Sequence, residues 1–170
     1  MLAVHKHAQT NTEMNELIIH ILKVGGVGCL IFTFFLIVMS FSGIASEMRD
    51  EEGKFKKTRN LKTVLGAVFF IAFLMGLLIM GNLHLMESAA SSPEFIHLWL
   101  NAFGIFLVVH LFDLIVLDYL IIVKWHPAFL KLSNSEYYTS FKPHLQGFFK
   151  GIPLGIVASL LATVVAFGIG

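Results

Sequence analysis

His110 and Asp113 stand three residues apart inside Ile96–Val123, a stretch whose only formal side-chain charges are Asp113 and Asp118. That spacing puts an imidazole and a carboxyl on one helical face, within reach of each other. Such a pair can relay a proton, hold a ligand, or clasp its helix to a neighbour through Ser, Thr or backbone groups, and spacing alone leaves all three open. A charged carboxylate deep in an apolar helix costs about 2.5–3.5 kcal/mol even on insertion scales, so Asp113 is expected to face protein, pair, or stay protonated. Asp118 is expected to reach interfacial water.

A second set of residues converges through topology. His20, His84 and His97 lie at the ends of apolar stretches that share one side, with Glu16, Glu87, Glu94 and the tail residues His5 and His7 nearby. Imidazoles with carboxylates are ligands for a transition metal such as Zn²⁺ or Cu²⁺, and Met80 and Met86 offer softer donors. No pair has His-x-x-x-His spacing, and histidine at a helix end also serves simply as an interfacial residue. A haem b would need facing axial histidines. His97 and His110 are thirteen residues apart, which at about 100° per residue puts them roughly 140° from each other. They do not share a face, so a haem could sit only between two of His20, His84 and His97. Cys29, the one cysteine, lies within an apolar run and reads as a small buried residue.

The elements that must carry these groups are apolar helices. Val24–Phe41, Val64–Leu83 and Ile152–Gly170 contain no formal side-chain charge. Together with Ile96–Val123, each is long enough to cross about 30 Å of hydrocarbon at about 1.5 Å per residue. Backbone polar groups in lipid must be satisfied internally, and the runs lack strand alternation, so the fold class is all-α. The expectation is an integral membrane bundle of four transmembrane helices over about Leu17–Ser42, Leu61–Leu85, Phe95–Lys124 and Phe148–Gly170. With 170 residues, 56% of them hydrophobic, and a mean hydropathy of +0.80, the chain is read as a single four-helix domain without a separate soluble one. The polar residues Met1–Glu16 and the length of the first run argue for a retained span rather than a cleaved signal.

Ten of the twelve Lys and Arg residues fall in two segments: Arg49, Lys54, Lys56, Lys57, Arg59 and Lys62, then Lys124, Lys131, Lys142 and Lys150. The positive-inside rule makes these segments cytosolic and puts both termini on the non-cytosolic side, with Trp99, Tyr119 and Trp125 near the interfaces. A formal net charge of +1, sorted by side, gives no basic patch for nucleic acid. Ser46–Asn60 reads as a charged hairpin turning at Gly53. Trp125–Gln146 is the connection with enough material to bind something, and its Phe129, Leu130, Leu132 and Phe141 could lie on the inner leaflet.

The last stretch speaks about packing. Gly147, Gly151, Gly155, Ser159 and Thr163 recur every four residues, a stripe that lets another helix approach closely, from this chain or from a second copy. Pro153 is expected in the first turn of that span, where its missing N–H costs little.

Phe112-Asp113-Leu114 followed by Asp118, then Pro127-x-Phe129, Glu136-x-Tyr138 and Phe141-x-x-His144-x-x-Gly147-Phe148, resembles a family of small bacterial four-span membrane proteins to which no activity is attached. The resemblance covers the C-terminal third and implies that Asp113, Asp118 and His144 matter together. The expectation is a multi-pass protein of the bacterial inner membrane whose solvent is the lipid bilayer. It carries no decisive catalytic motif and reads as an accessory, scaffold or transport-related protein, with self-association or a membrane-protein partner. The alternatives are a haem- or metal-binding redox protein using His20, His84 and His97, and a proton-coupled transporter using His110 and Asp113.

Overall fold

A computed structural model describes residues 2–44, 50, 61–88, 93–127, 130 and 134–170, with side chains from Met14 onward. Of the described residues 92% are helical, and none is in a strand. Helix α1 is Leu2–Phe41, α2 is Leu61–Ser88, and α3 is Phe95–Phe112, which continues into a π-helical segment Asp113–Trp125. A single turn α4, Glu136–Thr139, precedes α5, Phe141–Ile169. Four helices are long and apolar enough to cross a membrane: Met14–Phe41, Leu61–Ser88, Phe95–Trp125 and Phe141–Ile169. Ser46–Asn60, apart from Asp50, lies outside the described residues, as do Phe129, Lys131 and Leu132.

Local chemistry sets the helix ends. No Gly or Pro interrupts the chain before Gly25, so α1 winds back through the polar tail to Leu2, well before the expected start at Leu17. It stops where Gly43 takes φ 73°, a left-handed conformation that glycine adopts without strain. The π-helical segment ends at His126, also left-handed at φ 45°, immediately before Pro127. Helix α5 starts seven residues earlier than expected because Ser140 caps it, its side chain accepting from the Lys142 backbone N–H. The proline in its first turn is therefore Pro143. Pro153 falls inside the helix, correcting its expected place, and leaves the Phe149 carbonyl without its intrahelical donor.

Helix α3 is the element that α1, α2 and α5 all pack on. Leu74, Leu78, Ala102, Ile105, Phe106, Ala158 and Ala162 form one core between α2, α3 and α5. Cys29, Phe32, Val109 and Leu117 form a second between α1 and α3, closed by Phe70 and Phe73 of α2. Cys29 is buried, as expected of a small apolar residue. The opposite faces carry exposed Leu30, Phe34, Phe69, Phe149 and Val164. A bundle with leucine and phenylalanine on its outer faces as well as in its cores suits a surrounding lipid, which leaves close contact and hydrogen bonding to hold the helices together.

The small-residue stripe of α5 divides. A Cβ on Gly155 would run into the Phe106 ring, and one on Gly151 would come 2.6 Å from His110 Nε2, so these two glycines let α3 and α5 close on each other. Ser159 and Thr163 continue the same buried face. Gly147 is exposed, and a Cβ there would meet nothing within 4 Å. From Gly151 to Thr163, then, the partner of the stripe is this chain's own α2 and α3.

Candidate functional site

The Met14 end of the first span, the C-terminal end of α2, the start of α3 and the end of α5 lie together, and each contributes one polar residue to a common layer. His20, Asn82, Asn101 and Thr163 each stand six residues in from the span ends Met14, Ser88, Phe95 and Ile169, about 9 Å along the helix axis. Asn82, Asn101 and Thr163 are fully buried. They form one chain of hydrogen bonds through all four spans. The Thr163 hydroxyl donates to the Ser159 carbonyl (2.8 Å), and Asn82 Nδ2 donates to Thr163 Oγ1 (3.2 Å). Asn101 Nδ2 donates to Asn82 Oδ1 (3.0 Å) and to the Gly81 carbonyl (3.2 Å). Asn101 Oδ1 lies 2.9 Å from His20 Nδ1.

This chain has a direction, which fixes the histidine tautomer. A carbonyl at one end can only accept, so each hydroxyl and amide is oriented in turn, and both amide protons of Asn101 are already committed. Asn101 therefore presents its oxygen, and His20 Nδ1 must be the donor. In the neutral ring that leaves a bare lone pair on Nε2. This atom is buried and has no hydrogen-bond partner. The His84 ring, on the exposed side of α2, lies beside the His20 ring, with ring centres 5.4 Å apart.

His97 lies on the first turn of α3, part-buried, with its backbone N–H on the Glu94 carbonyl. Among the described residues no group of three or more His, Cys, Asp or Glu side chains comes together as a metal site. Trp99, expected at the interface, turns its indole N–H to Ser159 Oγ (3.1 Å) and stacks on Phe103, adding a bond between α3 and α5.

His110 occupies the midpoint of Phe95–Trp125. Its Nε2–H donates to the Phe148 carbonyl of α5 (3.0 Å), and the ring lies between Phe106 and Phe148, with centroids 4.9 and 4.5 Å away. Asp113 opens the π-helical segment, its backbone N–H shared by the carbonyls of Val109 and His110.

At the opposite end of the bundle, Asp118 Oδ1 is 3.0 Å from His144 Nδ1, and His144 is buried while Asp118 is partly exposed. The contact is an ion-pair approach rather than an aligned hydrogen bond. His144 Nε2 donates to the Tyr137 carbonyl (2.8 Å), and the Tyr137 ring lies against the imidazole. The imidazole is thus held between two oxygens, the Asp118 carboxyl on one side and the Tyr137 carbonyl on the other. The winding of the chain produces this meeting. At 100° per residue Asp118 would stand about 80° round the helix from His110, whereas i→i+5 winding from Asp113, about 80° per residue, returns it to nearly the same face. That face is the one that meets α5.

The residues that sequence reasoning passed over are Asn82 and Asn101, and the signal for them was present: carboxamides six residues inside apolar spans. Comparison of the chain with protein-family models, with curated proteins and with solved structures found no match.

Proposed function

We propose that this chain is a multi-pass protein of the bacterial inner membrane, with both termini on the non-cytosolic side, that acts as an accessory or scaffold component for other membrane proteins rather than as an enzyme. The observation that supports this reading is where its polar side chains go. His20, Asn82, Asn101 and Thr163 spend their bonds on joining the four spans, and His110 spends its own on joining α3 to α5. Polar groups used this way hold one arrangement of helices and leave the apolar outer faces as the surface offered to lipid and partners.

A photo-crosslinking amino acid placed at exposed Phe34, Phe69 or Phe149 should give a discrete adduct with one membrane protein in native membranes. Adducts with lipid alone at all three positions would overturn the scaffold reading.

A proton-coupled transporter is the second reading, and the Asp118–His144 contact, which brings two ionisable groups within 3.0 Å across two helices, favours it. In proteoliposomes under a pH gradient the accessory reading expects no proton flux above protein-free liposomes. Flux that is lost in Asp118→Asn or His110→Ala would establish transport in its place.

A further inference from the structure

We propose that His20 Nε2 and the His84 imidazole are the protein's two ligands to a tetrahedral divalent metal ion of the Zn²⁺ class, with water completing the coordination. The hydrogen-bond chain running from Ser159 through Thr163, Asn82 and Asn101 delivers an acceptor to His20 Nδ1, and so holds the ring in the tautomer that ligates through Nε2. A hydrogen bond on the distal nitrogen is the arrangement that orients metal-binding histidines and raises their basicity. The ligating atom itself is buried and without a partner, an unfavourable condition unless something completes it.

The distance to His84 suits two imidazoles on one ion. With metal–nitrogen bonds of about 2.0–2.1 Å and ring centres about 1 Å further out, two imidazoles on a tetrahedral ion have centroids roughly 5 Å apart. Axial ligands on opposite faces of a haem stand roughly 6 Å apart with the macrocycle between them. The observed 5.4 Å, with the rings tilted by 33°, is nearer the first. His84 is on the exposed side of its helix, four residues from the end of its span at Ser88. Glu16 and Glu87, also exposed, stand one turn further toward the same end on α1 and α2 and would offset the charge of the ion.

The test uses the full chain purified in detergent, carrying a tag that does not bind metal, in a His5→Ala/His7→Ala background so that the tail histidines do not contribute. Titration with Co²⁺ should give one ion per chain with the intense visible ligand-field bands of tetrahedral cobalt, displaced by Zn²⁺. His20→Ala and His84→Ala should each weaken binding at least tenfold, and His97→Ala should leave it unchanged. Asn101→Ala, with both ligands in place, should weaken it about 10- to 100-fold. His84 is exposed, so His84→Ala keeps the helical circular dichroism of the parent and decides the matter even if the Asn101 variant does not fold. Absence of stoichiometric Co²⁺ binding by the parent, or unchanged binding in His84→Ala, would overturn the proposal.

Discussion

Asn101 Oδ1 accepts from His20 Nδ1 across the α1–α3 interface at 2.9 Å, while the same side chain's two amide protons reach Gly81 and Asn82 of α2. One carboxamide thus ties three spans, and Asn82 extends the tie to Thr163 on the fourth. Interhelical hydrogen bonds in membranes average about 0.6 kcal/mol each, but a buried polar group stranded without a partner costs about 1–3 kcal/mol.

Asn101→Leu strands the His20 Nδ1–H and the Asn82 Oδ1 together. Its expected loss is about 2–4 kcal/mol, read as a lowered midpoint of unfolding in detergent by circular dichroism. Asn134→Leu, at an exposed loop position, should move the midpoint by no more than about 0.5 kcal/mol equivalent. Equal effects from the two would show that the polar layer does not hold the spans.

The α5 stripe gives a comparison within one helix. Gly155→Ala pushes a methyl into the Phe106 ring and Gly151→Ala pushes one against His110, so each should destabilise by about 1–3 kcal/mol. Gly147→Ala meets open space on a helical surface and should be neutral, or stabilising by up to about 1 kcal/mol from helix propensity. Thermal unfolding of the three variants orders them. If Gly147→Ala proves the most harmful, a second chain occupies that position.

The four spans were legible because an apolar run of twenty residues has few other uses, and the α3–α5 contact was legible as far as small residues every four positions announce a close approach. Three things were hidden for physical reasons. Asn82 and Asn101 are uncharged, so attention to ionisable groups passed over the residues that hold the layer together. The meeting of Asp118 with His144 depends on π-helical winding from Asp113 onward, which no 3.6-residue period predicts. The resemblance that grouped Asp113, Asp118 and His144 had no geometry to offer, and the structure now puts the latter two in contact while Asp113 stands where the winding changes. Pro153 was misplaced because apolarity marks the membrane, whereas the cap at Ser140 marks the helix.

Asp118 and His144 should be energetically coupled. In a double-mutant cycle of Asp118→Ala and His144→Ala, groups in contact across two helices are expected to show an interaction term of about 0.5–3 kcal/mol. The same cycle between Asp118 and His97, at opposite ends of α3, should return a term within about 0.5 kcal/mol of zero. Additive behaviour of Asp118 with His144 would mean that the 3.0 Å approach contributes nothing to holding α3 against α5.

The orientation of the bundle rests on its cations. The two segments between α1 and α2 and between α3 and α5 carry or border ten of the twelve Lys and Arg residues, and moving either of them across the bilayer would take those charges with it. Lys6 and Lys23, the remaining two, lie toward the other end and are too few to reverse the bias. In a Cys29→Ser background, a cysteine at Ser91 should react with a membrane-impermeant maleimide added to intact cells, while one at Asn134 should react only after the membrane is permeabilised. Ser88 of α2 and Phe95 of α3, which flank Ser91 in sequence, lie at the end of the bundle opposite Asn134, so the two positions are expected to give opposite results whichever way the protein sits. Labelling of Asn134 from outside with Ser91 protected would invert the orientation and put the His20–His84 pair on the cytosolic side.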